Sequence, residues 1–78
     1  MSVYLLETRD AWNSYKSAEI VGIYSSIKSA IRMAKKFAAM GENPLTEYDK
    51  RCLSEILQTQ GREVNFTITY YKLNDFDV

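Results

Sequence analysis

Histidine is absent from this 78-residue sequence, and cysteine occurs only once, as Cys52. Histidine is the commonest general base and the commonest metal ligand of proteins, so its absence argues against the usual catalytic and metal sites. Cys52 falls on the apolar face of a predicted helix, and we interpret it as a small buried side chain rather than a nucleophile. The sequence therefore predicts no catalytic residue, no metal site and no cofactor, and we do not expect an enzyme.

Glycine and long apolar runs are scarce as well. The three glycines are isolated from one another, so neither a phosphate-binding loop nor a dinucleotide-binding motif is present. No apolar run approaches the ~20 residues that cross a bilayer, and the chain opens on a strand pattern without a basic leader. We therefore expect neither a membrane span nor a signal peptide. One cysteine excludes an intramolecular disulfide and favours a reducing compartment, which predicts a cytoplasmic location.

The composition that remains is that of one folded domain covering residues 1–78. Hydrophobic residues make up 46% of the chain, and ten basic and ten acidic side chains give a formal net charge of zero. That hydrophobic share is too high for a disordered chain. A net charge of zero gives no overall attraction to nucleic acid or to a membrane surface.

The stretch 20–41 predicts a strand that leads into an amphipathic helix. β-Branched and aromatic residues dominate positions 20–24, as in a strand. Ser25 and Ser26 carry hydroxyls that can accept hydrogen bonds from the first free N–H groups of a helix. Apolar residues then recur at steps of three and four: Ile27, Ala30, Ile31, Ala34, Phe37 and Ala38. Gly41 follows them, and we expect it to end the helix in the left-handed conformation.

The rest of the chain predicts two more strands and a second helix. Alternating patterns indicate strands at 2–8, 19–24 and 63–73, with a long hairpin loop at 9–18 between the first two. Thr46 is the predicted N-cap of a helix at about 47–59, with Glu47 and Asp49 in the first turn where acids favour the helix dipole. Gly61 is expected to terminate it, and the acidic tail at 74–78 is expected to be loose.

This order of elements predicts an α+β fold, ββααβ, with a three-stranded antiparallel sheet and two helices packed on one face. The strand order stays open at this point. If the two helices run antiparallel, the third strand can pair beside the second. If the second helix is only an appendage, the third strand can lie beside the first.

The first two strands carry more apolar surface than two helices can cover. Their apolar residues are Val3 and Leu5 against Tyr4 and Leu6, and Ile20 against Val21 and Ile23. Helices on one side of a sheet leave the other side bare, so something else must shield it. The candidates are the loop and tail folding back, a second copy of the chain, or another protein.

Trp12 and Tyr15 are unusual in a predicted loop, and aromatic residues of this kind dominate the hot spots of protein interfaces. The competing interpretation is that Trp12 folds back and caps the edge of the core, because a tryptophan buries a large area. The predicted partner-binding residues are Trp12, Tyr15, Tyr4, Leu6 and Tyr71.

The outer face of the first helix is basic. Its cations are Lys28, Arg32, Lys35 and Lys36, and residues 20–41 contain no acid. A solvated helix face accounts for such a ridge, but the cations could also follow the phosphates of a nucleic acid. The aromatic motifs of RNA-binding sheets are absent.

Three segments, VYLL at 3–6, GIYSS at 22–26 and the alternating residues 66–71, resemble those of small uncharacterised bacterial and phage proteins. Those proteins open with a YLL-type strand and carry a G-(V/I)-Y-S-S strand-to-helix junction; the second helix around Cys52 departs from their shortest versions. The resemblance implies an α+β fold and no catalytic residues. Small size and exposed aromatics are also similar to phage accessory proteins that bind and inhibit a host factor.

The leading hypothesis is therefore a small non-enzymatic protein-binding module, a phage-encoded modulator or inhibitor of a host protein, that also self-associates. A nucleic-acid-binding protein that uses the basic helix is the alternative, and a structural homodimer is the third.

Overall fold

The computed structural model describes residues 2–72, which form a three-stranded antiparallel sheet with two helices on one face. The strands are β1 (Ser2–Arg9), β2 (Glu19–Tyr24) and β3 (Asn65–Lys72). The helices are α1 (Ile27–Met40) and α2 (Glu47–Glu55), and a short 3-10 helix, Tyr15–Ser17, lies in the β1–β2 loop. The predicted α+β class and element order are confirmed. The tail predicted to be loose, residues 74–78, lies outside the described residues.

The sheet has the order β2-β1-β3, so β1 is the central strand. Leu6 of β1 lies opposite Gly22 of β2 on one side and opposite Ile68 of β3 on the other, and both pairings are antiparallel. Since both neighbours run antiparallel to β1, β2 and β3 run parallel to each other. Of the two orders that the sequence left open, the one with the third strand beside the first is present.

Helix α1 begins where its sequence predicts, but the left-handed residue after its end lies one position later than predicted. The Ser26 Oγ accepts a hydrogen bond from the Ser29 N–H at 3.1 Å, which makes Ser26 the N-cap. Gly41 has φ −84°, and Glu42 takes the left-handed conformation instead, with φ 61°. The expectation for Gly41 was therefore wrong. The left-handed turn occurs at Glu42, where the Asn43 N–H reaches back to the Ala38 carbonyl at 3.1 Å.

Helix α2 is shorter than predicted, although its N-cap is the expected one. Thr46 and Asp49 form a capping box: the Asp49 N–H donates to Thr46 Oγ1 at 3.1 Å, and the Thr46 N–H donates to Asp49 Oδ2 at 2.9 Å. The helix ends at Glu55 because residues 57–59 pair with the outer edge of β3. The Ile68 N–H donates to the Leu57 carbonyl, and the Thr59 N–H donates to the Phe66 carbonyl.

The core lies between the sheet and the two helices. Small residues on α1 allow the helix to approach the sheet closely, while larger side chains of β1, β3 and α2 fill the space. The buried members are Leu6, Ala30, Ala34, Ala38, Leu45, Leu53, Phe66 and Ile68. Both helices contribute to this single core, so the opposite face of the sheet is left without a helix.

Candidate functional site

The sheet face opposite the helices, which we call the open face, is apolar over much of its length. Side chains alternate along a strand, and Leu6 points into the core, so Leu5 points to the open face. Residues that pair directly across neighbouring strands point to the same side, so the partners of Leu5 and of the other odd-numbered residues of β1 also lie on the open face. The apolar members of the open face are Val3, Leu5, Ile20, Ile23 and Tyr71. Ile20 and Ile23 are 67% and 63% exposed, so β2 presents two bare isoleucines to solvent.

A β-bulge places both isoleucines on this face. Ile20 and Ile23 are three residues apart, and an unbroken strand would point them to opposite sides. The register shifts between Leu6 and Glu7, so that Ile23 lies opposite Leu5 while Ile20 lies opposite Glu7. Val21 is the extra residue, and it packs against the core. The expectation that Ile20 points away from Ile23 was therefore wrong.

The polar end of the open face is covered by the β1–β2 loop. Arg9 donates to Glu7 Oε1 at 3.3 Å, and its guanidinium carbon lies 4.8 Å from the centroid of the Tyr15 ring. The fully buried Asn65 donates from Nδ2 to the Asp10 carbonyl at 3.1 Å, and Asn13 Nδ2 donates to the Thr59 carbonyl at 3.2 Å. The loop thus shields the end of the open face that carries Glu7 and Arg9, and Tyr15 lies at this same end.

Trp12 projects from this loop into solvent and is 84% exposed. The Asp10 carboxylate fixes the turn that carries it, since Oδ1 accepts from the Trp12 N–H at 3.0 Å and from the Ser14 N–H at 3.1 Å. The hydrogen bond from the Ser14 backbone is the main reason that the pKa of Asp10 lies below its usual value. The interpretation that Trp12 caps the core edge was wrong, because Trp12 is mostly exposed and belongs neither to the core nor to the side chains packed against it.

The predicted partner-binding residues do not all share one surface. Tyr15 lies against Arg9 at one end of the open face, Trp12 belongs to the same loop, and Tyr71 lies opposite Val3 on that face. Leu6 is fully buried in the core, so it has no surface to offer a partner. Tyr4 also points to the helix side, where its ring lies 5.3 Å from that of Tyr70. The prediction that Tyr4 and Leu6 bind a partner was therefore wrong, because the odd-numbered residues of β1 form the open face.

The predicted basic ridge forms one wall of a shallow groove between α1 and α2. The groove, which we call the basic groove, is lined by Lys28, Ile31, Arg32, Lys35 and Lys50. Lys50 is contributed by α2, and its Nζ lies 3.3 Å from Glu47 Oε1. Sequence reasoning missed Lys50, because the approach of α2 to α1 is a tertiary contact. Lys36 lies on α1 outside the groove lining.

The described residues offer little support for a metal site, a reactive cysteine or a small-molecule pocket. Residues 2–72 contain no cluster of three or more histidine, cysteine or acidic side chains that could hold a metal, and no helix among them is long and apolar enough to cross a membrane. Cys52 is buried on α2, and a hydrogen bond with it raises the pKa of Tyr48. A cleft near Phe37 and Val64 has a volume of about 150 Å³, below the roughly 300 Å³ of the smallest usual ligand pockets.

No protein-family model, curated protein or solved structure matches the chain. The resemblance of its three short segments to bacterial and phage proteins stays a prediction. The open face and the basic groove are therefore interpreted from their own chemistry.

Proposed function

We propose that the protein is a non-enzymatic binding module that docks the apolar side chains of its open face on another protein. One observation carries the proposal: a β-bulge turns Ile20 and Ile23 to the same side, where both stay mostly exposed. Burial of apolar area contributes about 25 cal/mol per Å², so two isoleucines left in water favour any contact that covers them.

The sheet face alone is too small for a typical stable interface, so we include the aromatic loop in the proposed contact surface. Three strands about 4.8 Å apart, two of them eight residues long and β2 six, give a face of at most about 14 Å by 26 Å. Its flat area of about 370 Å² is less than half of the roughly 800 Å² that each partner buries in a typical stable complex. Trp12 and Tyr15 extend the contact beyond the sheet, and both are residue types that act as hot spots.

A second copy of the chain is one partner that fits this face. The covered end of the face carries Glu7 and Arg9, one charge of each sign, so two copies related by a two-fold axis meet without a net repulsion. If the partner is instead a different protein, the module acts as a modulator or inhibitor by covering part of that protein's surface. The single buried cysteine is compatible with a reducing compartment, and we place this activity in the cytoplasm.

A double variant of the open face and a single control variant on α1 test the proposal. Ile20→Lys/Ile23→Lys adds charge to the open face, and Met40→Lys makes the same kind of change at an 81% exposed residue on α1. Each protein is examined by sedimentation velocity at high micromolar concentration and used as bait in a lysate of its own organism. A dimer or a captured protein that the double variant loses and Met40→Lys retains supports the proposal. A monomer whose captured proteins are the same for all three baits overturns it.

A further inference from the structure

The positions of the basic-groove cations in α1 are electrostatically unfavourable for the helix itself. Lys28 lies in the first turn of α1, where the positive end of the helix dipole disfavours a cation, and the last turn contains no basic residue. Lys28 and Arg32 are four residues apart, and like charges at that spacing destabilise a helix by about 0.2–0.5 kcal/mol. No acid in α1 offsets them. The arrangement costs helix stability, so helix formation does not account for it.

The same cations form a continuous surface. Lys28, Arg32 and Lys35 follow one another at steps of four and three residues, which keeps them on one side of the helix. At 1.5 Å per residue they span about 10 Å along the axis. Lys50 of α2 faces them across the groove, with Ile31 half-buried between the two walls. The result is a shallow, positively charged surface built by two elements, in which Lys50 is also paired with Glu47.

We propose that the basic groove binds the sugar–phosphate backbone of a nucleic acid. A duplex carries about one negative charge per 1.7 Å of its axis, so a 10 Å row of cations lies within reach of several phosphates. The proposed contact is made with phosphates and is therefore independent of the base sequence. This function goes beyond protein binding by the open face, from which the groove is separated by the sheet and α1.

A nucleic acid fits the groove better than an anionic membrane does. A helix that lies on a bilayer inserts its apolar face between the lipids. The apolar face of α1 is already used, since Ala30, Ala34 and Ala38 are buried against the sheet. The groove itself exposes mainly the cations Lys28, Arg32 and Lys35, and phosphates that project from a nucleic acid can reach them.

The expected binding is weak and depends steeply on salt. Three or four phosphate contacts give a slope of about −3 in a plot of log affinity against log salt concentration for a duplex. Affinity should then fall by roughly 50- to 100-fold between about 50 mM and 200 mM salt. A fluorescence anisotropy titration with a labelled mixed-sequence duplex measures this directly.

Two double variants with the same net charge separate the groove from general charge effects. Lys28→Gln/Lys35→Gln removes two groove cations, and Lys16→Gln/Lys72→Gln removes two exposed lysines elsewhere. The first should lose about 2 units of the salt slope and at least about tenfold in affinity at low salt, and the second should bind as the unchanged protein does. Equal losses in both variants, no binding at about 50 mM salt, or binding only to vesicles of anionic lipid overturns the proposal.

Discussion

The guanidinium of Arg62 donates a hydrogen bond to the carboxylate of Asp49 at 2.8 Å, and the two side chains are only 7% and 6% exposed. Arg62 also donates to the backbone carbonyls of Asn43, Pro44 and Val64. One side chain therefore connects the α1–α2 loop, the start of α2 and the segment that leads into β3. The pair therefore holds these three parts of the chain together.

Removing one partner of this pair should destabilise the protein strongly. Asp49→Ala leaves the Arg62 guanidinium buried without its carboxylate and also removes half of the capping box, so we expect a loss of about 3–5 kcal/mol in the free energy of unfolding. Urea denaturation followed by circular dichroism measures the loss. Glu47→Ala is the matched control, because it removes an exposed acid from the same helix turn and should cost about 0–1 kcal/mol. Similar losses in the two variants would contradict the buried ion pair.

The same aspartate should contribute to stability in a pH-dependent way. Burial raises the pKa of Asp49, but hydrogen bonds from Thr46 and Arg62 outweigh it and hold the pKa below the ordinary 3.8. A carboxyl group with a lowered pKa in the folded state stabilises the fold above pH 3.8, and this contribution is lost as the pH falls through the folded-state pKa.

Denaturation series at several pH values test this linkage. The stability difference between the unchanged protein and Asp49→Asn should be constant near neutral pH and shrink below about pH 4. A difference that stays constant down to about pH 2 would show that Asp49 titrates as it does in the unfolded chain.

Substitution of Trp12 should separate binding from stability. The side chain is exposed and outside the core, so Trp12→Ala should change the free energy of unfolding by less than about 0.5 kcal/mol while it abolishes or weakens partner binding. Leu6→Ala, in contrast, creates a cavity in the core and should cost about 2–5 kcal/mol. Thermal denaturation of both variants checks the contrast; a large loss for Trp12→Ala would place its ring in a packed contact.

The buried amide of Asn65 should be essential for the position of the aromatic loop. Its Nδ2 donates to the carbonyls of Asp10 and Arg62, and its Oδ1 accepts from Thr59 Oγ1 at 2.8 Å. Asn65→Leu leaves these three polar groups without that partner, and each unsatisfied group costs about 1–3 kcal/mol. We expect a lower urea midpoint and a lower fluorescence anisotropy of Trp12, since the loop loses its contact with β3. An unchanged anisotropy in the folded variant would show that the Asp10 turn alone fixes the loop.

The sequence correctly predicted those features that are determined by residues close together in the chain. The hydroxyls of Ser26 and Thr46 mark the helix starts because an N-cap bonds to an N–H only two or three residues away. The spacing of Ala30 and Ala34 likewise identified the buried side of α1. For such residues the deciding partner lies within one helical turn.

Long-range partners account for the features that the sequence did not predict. Helical spacing around Leu57 continues past the end of α2, but the outer edge of β3 offers hydrogen bonds that residues 57–59 take instead. The bulge at Val21 depends on the register with β1, and it decides which isoleucines form the open face. Sequence reasoning also missed Lys50 of the basic groove and the pairing of Arg62 with Asp49, because each lies on a different element from its neighbours.

The central position of β1 has a consequence for how the protein is made. Its second neighbour, β3, follows both helices in the chain, so a ribosome must synthesise nearly all of the described residues before the sheet can close. Until then β1 is one strand of a hairpin with β2, and an isolated hairpin is at best marginally stable in water. Pairing between strands so distant in sequence also slows folding, because a long loop must close first. A nascent chain stalled on the ribosome before β3 should therefore stay sensitive to protease. Once β3 has left the ribosome, the whole chain should become resistant in one cooperative transition.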